Sequence, residues 1–189
     1  MKLTFTYAPM STGKSTELLQ KAFNYREHGF EVLIFTSALD NRYGTAKVAS
    51  RIGISADATV IHPGDCSVLN ELIESLENSE VKAIFIDECQ FLSTEQVDLL
   101  AVVVDKFNIP VYCYGLRTDF STKLFEGSRR LLEIADDIEE LKNICSCGRK
   151  AIFNKRIGES TETVLIGGND MYIRMCRECY RKSCEKKTD

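Results

Sequence analysis

The chain has 189 residues, 44% of them hydrophobic and 28% charged, which is ordinary for a globular protein with one core domain and a small appendage. Its formal net charge of −4 argues against a nucleic-acid-binding surface, because phosphate contacts need a clustered cationic face. Without an export signal or an apolar run of the roughly 20 residues that cross a bilayer, the chain is expected in the cytoplasm, with no membrane or nucleic-acid partner.

Short apolar runs alternate with amphipathic segments through the first three quarters of the chain. The apolar runs predict buried strands at Leu3–Tyr7, Val32–Thr36, Ala83–Ile86 and Val111–Tyr114. Apolar residues at helical spacing predict helices at Lys14–Glu27, Val68–Leu76 and Gln96–Phe107. Gly29 suits the left-handed position after the first helix, and Ser93-Thr94-Glu95-Gln96 predicts a capping box before the last. This alternation predicts a mostly parallel sheet with helices on both faces and a ligand site beyond the carboxyl ends of its strands.

The first strand runs into a loop that nearly matches the phosphate-binding pattern G-x-x-x-x-G-K-[ST]. The loop reads Ala8-Pro9-Met10-Ser11-Thr12-Gly13-Lys14-Ser15 and opens a helix. Successive backbone N–H groups and a helix N-terminus form a concave anion site. Lys14 would reach the β- and γ-phosphates of ATP, and the Ser15 hydroxyl would bind Mg²⁺. Ala8 stands where the pattern has glycine, which is tolerated if this position does not need a positive φ angle.

The apolar strand Ala83–Ile86 delivers an acidic pair, Asp87-Glu88, to its carboxyl end. Asp87 would face the magnesium ion of the nucleotide, and Glu88 would act as a general base. The alternative is an acidic pair stabilised by the dipole at a helix N-terminus. The phosphate loop elsewhere in the chain favours the first interpretation.

Two close cysteine pairs lie near the C-terminus, Cys145-Ser146-Cys147 and Cys176-Arg177-Glu178-Cys179. Four thiolates suit tetrahedral zinc, and a filled thiolate shell leaves no open catalytic position, so the predicted site is structural. Free thiols are the alternative, because the first pair is tighter than the commoner spacing; Cys184 lies too far along to join the set. The change in composition near Leu141 predicts a nucleotide-binding core at 1–141 and a zinc-binding domain at 142–189.

Three segments resemble the type II thymidine kinase family. The run Asp87-Glu88-Cys89-Gln90-Phe91 resembles its D-E-x-Q-F signature, and Tyr114–Phe120 with Lys123–Phe125 resembles the segment that lines the nucleoside pocket. Ile166-Gly167-Gly168, Tyr172 and the second cysteine pair resemble its substrate-covering lasso and zinc ligands. The implied fold is α/β, a P-loop (RecA-like) parallel sheet flanked by helices, with a small C-terminal zinc-ribbon-like domain that carries the lasso.

This resemblance implies an enzyme that phosphorylates the 5′-hydroxyl of deoxythymidine, with Mg²⁺ bound to ATP and a structural Zn²⁺. Glu88 would take the proton of that hydroxyl. The implied ATP and magnesium residues are Ala8, Pro9, Met10, Ser11, Thr12, Gly13, Lys14, Ser15, Asp40, Asn41, Arg42, Asp87, Glu88, Cys89 and Gln90. The implied nucleoside residues are Met10, Phe91, Leu116, Phe120, Phe125 and Tyr172, with the lasso residues Thr163, Val164, Leu165, Ile166 and Gly167. A homotetramer and feedback inhibition by dTTP are implied as well.

Two other functions compete with this interpretation. In an ATPase of the recombinase or motor type, Glu88 would activate water instead of a nucleoside hydroxyl. Such an enzyme has no use for the aromatic run after Leu116 or for the lasso after Val164. A zinc-ribbon module would bind nucleic acid through the basic stretch from Arg174 to Lys187, but the net negative charge and the complete phosphate-transfer set argue against that as the main activity.

Overall fold

The computed structural model describes residues 1–40, 44, 46–157 and 171–185. In chain order its elements are β1 (Leu3–Tyr7), α1 (Lys14–Glu27), β2 (Glu31–Ser37), β3 (Lys47–Ala49), β4 (Ser55–Asp57), β5 (Thr59–Ile61), α2 (Ser67–Ser75), β6 (Val81–Ile86), α3 (Thr94–Phe107), β7 (Val111–Gly115), α4 (Glu126–Ile134), β8 (Asp137–Glu140), β9 (Asn143–Ile144), β10 (Lys150–Ala151), β11 (Phe153–Arg156), β12 (Tyr172–Met175) and α5 (Arg177–Glu185).

Six strands form one parallel sheet in the order β5-β2-β6-β7-β1-β8. Only β7 separates β1, which leads into the phosphate loop, from β6, which leads into the acidic pair. Because all strands run in the same direction, both segments leave the sheet at the same edge. The predicted parallel α/β sheet flanked by helices is confirmed.

Helices cover both faces of this sheet. On one face, Leu18 and Ala22 of α1 pack against Phe85. On the other face, α2, α3 and α4 pack against the alternate residues of the same strands, such as Ile84 and Ile86. A strand that is buried on both faces consists of a continuous run of apolar residues, and this is why β1, β6 and β7 could be predicted from the sequence.

The predicted strands and helices are confirmed, with ends that shift by no more than two residues. Gly29 has a φ of 77°, and the capping box is present: Gln96 N–H donates to Ser93 Oγ (3.2 Å) and Ser93 N–H donates to Gln96 Oε1 (2.9 Å). The sequence analysis missed helix α4, which has nine residues, and several elements that are short or largely exposed. Strand β8 is an example, because Asp137-Ile138-Glu139-Glu140 lies at an edge of the sheet and contains no apolar run.

The segment after β8 forms two small antiparallel hairpins, β9–β10 and β11–β12, followed by α5. These hairpins were not predicted, because strands of two to four residues carry too little pattern to recognise. The last strand of the main sheet ends at Glu140, and the domain division at residue 141 stays a prediction. Within the described part of the chain, no helix combines the length and the apolar character needed to span a membrane.

Gly127 allows α4 to pack against the backbone of the turn that follows Glu88. A Cβ at this position would lie 2.5 Å from Cys89 O and 2.8 Å from Leu92 O, so one backbone segment would have to move. We therefore expect Gly127→Ala to lower the free energy of unfolding by about 2–3 kcal/mol, as overpacking does. Denaturant unfolding measures this change.

Gly29→Ala is the matched control. Gly29 has open space around it, so the substitution carries only the cost of a left-handed alanine, about 1 kcal/mol. A loss in Gly127→Ala no larger than that in Gly29→Ala would contradict the packing argument.

Candidate active site

A cavity of about 340 Å³ opens at the sheet edge where β1, β6 and β7 end. Residues of the phosphate loop and aromatic residues from the segments after β6 and β7 line it. Lys14 and Glu88 both face this cavity, from two different loops. The structure therefore brings the predicted phosphate and acceptor sites together in one space.

The phosphate loop curves around one end of the cavity. Its residues Met10 to Ser15 all line the space. The positive φ angles of the loop fall on Ser11 (60°) and Gly13 (99°) and not on Ala8, so alanine is accommodated where the pattern has glycine. The first two loop residues, Ala8 and Pro9, do not line the cavity, and their carbonyl oxygens accept hydrogen bonds from Lys14 Nζ at 3.4 and 3.3 Å.

The predicted magnesium ligands lie side by side. Ser15 Oγ donates a hydrogen bond of 2.8 Å to Asp87 Oδ2, and Asp87 is buried behind it. Burial, reinforced by the neighbouring charge of Glu88, raises the pKa of Asp87 to about 7. A hydroxyl and a buried carboxylate next to the Lys14 ammonium are oxygen donors of the kind that Mg²⁺ prefers. The residues fit the ion that the resemblance implies.

Glu88 is held in an unusual conformation at the start of a short 3-10 turn, Cys89–Phe91. Its φ angle is 52°, and Gln90 Nε2 donates a hydrogen bond to Glu88 Oε2. Gln90 Oε1 in turn accepts one from Leu116 N–H at 3.0 Å. Buried Gln90 thus ties the carboxylate to the loop after β7. Strain of this kind is typically maintained where it positions a functional group.

Cys89, which the resemblance places with the ATP residues, does not line the cavity. Its side chain is fully buried in the main core. A Cβ on Gly115 would lie 2.7 Å from both Cys89 Sγ and Gln90 Oε1, so the turn packs directly onto bare backbone. Cys89 therefore supports the turn by packing.

Part of the cavity lining is apolar and aromatic, and it is called the aromatic slot below. The predicted nucleoside residues in the described part of the chain all line the cavity: Met10, which belongs to the phosphate loop, and Phe91, Leu116, Phe120, Phe125 and Tyr172. The rings of Phe91 and Phe125 meet edge to face, with centroids 5.7 Å apart and an interplanar angle of 77°. The Arg156 guanidinium lies over the Phe120 ring, with Cζ 3.9 Å from its centroid. Such walls suit a neutral aromatic base.

Several lining residues were not predicted. They are Thr16, Ala49, Ser50, Arg51, Ile52, Thr118, Asp119 and Asn154. The β3–β4 hairpin brings Ala49 to Ile52 to the cavity, and Ser50 Oγ is buried there with no hydrogen-bond partner among the described residues. Strands of three residues give no usable signal, whereas Thr118 and Asp119 lie in the segment that the family resemblance already marked.

Of the remaining predicted site residues, one lies in the described part of the chain and the others do not. Asp40 lines the cavity after β2. Asn41, Arg42 and the lasso residues Thr163–Gly167 lie outside the described residues, and their roles stay predictions.

The four predicted zinc ligands converge. The sulfur atoms of Cys145, Cys147, Cys176 and Cys179 all lie within 4.8 Å of one another, with 3.6 Å between those of Cys147 and Cys176. Tetrahedral zinc with bonds of about 2.3 Å needs sulfur atoms about 3.8 Å apart. Backbone N–H groups, first that of Cys147, lower the pKa of Cys145 to about 6, whereas sharing a proton with the other sulfurs raises that of Cys179 to about 12. A cation resolves this crowding, so the cluster fits a structural zinc ion.

Comparison with known proteins supports the same interpretation over nearly the whole chain. A family model described as Thymidine kinase matches residues 1–180. The thymidine kinase of Haemophilus influenzae is 49% identical over 189 residues, covering 97% of both chains. That of Vibrio cholerae is 51% identical over 189 residues (96% of this chain and 97% of the relative), and that of Vibrio parahaemolyticus 50% over 191 residues (98% and 99%). The similarity spans the sheet, the cavity and the cysteine cluster.

The raised pKa of Asp87 predicts a pH dependence of stability in the protein without nucleotide or magnesium. In the unfolded chain this carboxyl has an ordinary pKa near ~4, so between about pH 4 and 7 the folded protein binds the additional proton. The free energy of unfolding should therefore decrease as the pH rises through this window. Asp87→Asn should remove this part of the slope. Denaturant unfolding of both proteins between about pH 5.5 and 8 measures it, and parallel profiles would reject the assignment.

The cysteine cluster predicts metal content directly. We expect Cys176→Ser to lose most of its zinc and to unfold at a lower temperature, because a structural zinc ion contributes folding free energy. Elemental analysis of the purified protein gives the zinc-to-protein ratio. Cys184→Ser is the control, since Cys184 is exposed and outside the cluster. Equal zinc ratios in the two variants would exclude Cys176 as a ligand.

Proposed function

This chain belongs to the thymidine kinase family and is a nucleoside kinase, and we propose that it transfers the terminal phosphate of ATP to the 5′-hydroxyl of deoxythymidine. One observation carries the proposal: Lys14 and Ser15 of the phosphate loop share a cavity with Glu88, beside an aromatic slot. Phosphoryl transfer depends on position and charge, and this cavity offers an anion site, an acceptor base and a nucleoside-sized slot in one place.

The phosphate loop and the Lys14 ammonium would hold the triphosphate at one end of the cavity. Ser15 and Asp87 would hold the Mg²⁺ ion of the nucleotide, which when bound neutralises charge on the phosphate oxygens. Buried Asp87 must be ionised for this role, and the adjacent Lys14 favours that form. Their hydrogen bond keeps both oxygen donors at the same position near the loop.

Glu88 is proposed as the general base. Its carboxylate would accept the proton of the 5′-hydroxyl as that oxygen bonds to the γ-phosphorus, while the bond from phosphorus to the β–γ bridging oxygen breaks and ADP leaves. The hydrogen bond from Gln90 fixes the direction of the carboxylate. A positioned base of this kind typically contributes ~10²–10⁴ in rate.

The aromatic slot would take the thymine ring. Phe91 and Phe125 form one wall, and Phe120 beneath Arg156 forms another. Glu88 lines the same cavity as the aromatic slot and the phosphate loop, so we propose that a nucleoside held in the slot presents its sugar toward the γ-phosphate. This arrangement favours a nucleoside acceptor over water, which has no need of an aromatic slot.

Further parts of the proposal rest on resemblance to the family. They are a homotetramer, feedback inhibition by dTTP, a location in the cytoplasm, and a division into a nucleotide-binding core at 1–141 and a zinc-binding lasso domain at 142–189. The convergence of the four cysteines supports the zinc-binding part of that division.

Labelled ATP and a panel of nucleosides test the activity, and Glu88→Gln tests the mechanism. Deoxythymidine should become its 5′-monophosphate. The glutamine retains the shape of Glu88 but cannot accept the proton, so we expect kcat to fall at least about tenfold while ATP binding persists. Glu74→Gln, on the exposed surface of α2, should leave kcat unchanged. Near-normal turnover by Glu88→Gln would rule out its role as the base.

A further inference from the structure

The segment that carries the four predicted zinc ligands, called the zinc-bearing segment below, includes the hairpins β9–β10 and β11–β12. These hairpins contact the phosphate loop through two asparagines. Asn143, the first residue of β9, donates from Nδ2 to Ser11 O (3.0 Å) and to Thr12 Oγ1 (3.2 Å). Asn154 of β11 accepts a hydrogen bond of 2.9 Å from Met10 N–H at Oδ1. These contacts join residues that are more than 130 positions apart in the chain.

The residue between these contacts is strained. Ser11 has a φ of 60°, a left-handed conformation that costs an L-residue other than glycine about 1–2 kcal/mol. Such a conformation persists only where the surroundings fix it. Asn154 holds the N–H of the preceding residue, and Asn143 holds the carbonyl of Ser11 itself. The two side chains thus fix the backbone on both sides of the strained position.

The side chain of Asn143 is itself fixed. Its Oδ1 accepts a hydrogen bond of 2.7 Å from Ile144 N–H, so its amide nitrogen faces the loop. Cys145, a predicted zinc ligand, follows two residues later and is held by a hydrogen bond from its N–H to Arg149 O (2.7 Å). The turn that carries two of the predicted zinc ligands therefore follows directly on β9, whose first residue supplies the amide.

We propose that Asn143 is a positioning residue for the phosphate donor: with Asn154, it keeps the phosphate loop in the conformation that binds ATP. This inference rests on the proposed function of that loop. Asn143 does not line the cavity and contacts no reacting group, so it acts only through the loop backbone. The zinc-bearing segment then shapes the ATP site as well as the nucleoside site.

Loss of this anchor has a specific expected consequence. Without the Asn143 amide, Ser11 relaxes toward a negative φ in part of the population, and ATP must restore the strained form as it binds. We expect Asn143→Ala to raise the KM and Kd for ATP about five- to tenfold, the size of one or two lost hydrogen bonds. The KM for deoxythymidine and the zinc content should change less than about twofold, because the aromatic slot and the cysteines remain.

The Ser11→Gly protein is the second background in which the effect of Asn143→Ala on ATP binding should be measured. Glycine adopts a positive φ without the penalty of a side chain, so the loop should depend less on its anchor. We expect Asn143→Ala to raise the Kd for ATP less than about twofold in the Ser11→Gly protein, measured against that protein alone by calorimetric titration. An equal fold-change in the two backgrounds, or no change in the original one, would overturn the proposal.

Two further variants complete the test. Asn143→Asp has the same shape and retains the acceptor for Ile144 N–H, but it lacks both donors, so it should raise the Kd for ATP even if the alanine variant folds poorly. Asn24→Ala, on the exposed surface of α1, should leave the Kd unchanged. If the original protein bound ATP but phosphorylated no nucleoside, the proposed function would fail while the coupling between Ser11 and Asn143 could still be measured.

Discussion

The hydrogen bond between Ser15 and Asp87 joins the two loops on which the site depends. Its partners lie 72 residues apart, at the ends of strands separated only by β7. A parallel sheet is what makes this meeting possible, because it delivers every strand end to one edge. The bond buries a carboxylate beside a second carboxylate, Glu88, which is unfavourable until a cation arrives. The oxygen donors of the proposed magnesium site are therefore in place before any ion binds, at some cost to the stability of the empty protein.

The orientation of the Glu88 side chain depends on two glycines, Gly115 and Gly127, which have no side chains to collide with the turn after it. The turn Cys89–Phe91 lies between Gly115 at the end of β7 and Gly127 at the start of α4, and a Cβ on either glycine would collide with it. Close packing on both sides holds Glu88 at its left-handed φ angle, and Gln90 then orients the carboxylate. Close packing of the turn thus maintains the strained backbone of Glu88, and the hydrogen bond from Gln90 sets the orientation of its side chain.

Features that are continuous in the sequence could be predicted, and features made by distant contacts could not. The phosphate loop and the pair Asp87-Glu88 can be recognised in the sequence, because in each case the functional residues directly follow a predicted strand along the chain. Asn143 carries no such signal, since its partner is a backbone carbonyl that only the tertiary fold brings near. Ser50 was missed for a related reason: its hairpin has strands of three residues, too short to show a period.

Four thiolates around a zinc ion would leave no open position for chemistry, so the proposed zinc site would act on the cavity only through the segments that it holds in place. The zinc-bearing segment contacts both the phosphate loop and the aromatic slot. Tyr180, in the helix that carries Cys179, donates a hydrogen bond of 2.6 Å to Phe120 O in the nucleoside slot, while Asn143 holds Ser11 in the phosphate loop. A zinc ion bound at this cluster would fix the hairpins and α5 together, and through them two loops that come from different strands of the sheet. A single rigid support can therefore keep donor and acceptor in register across the cavity, which is the main requirement of phosphoryl transfer.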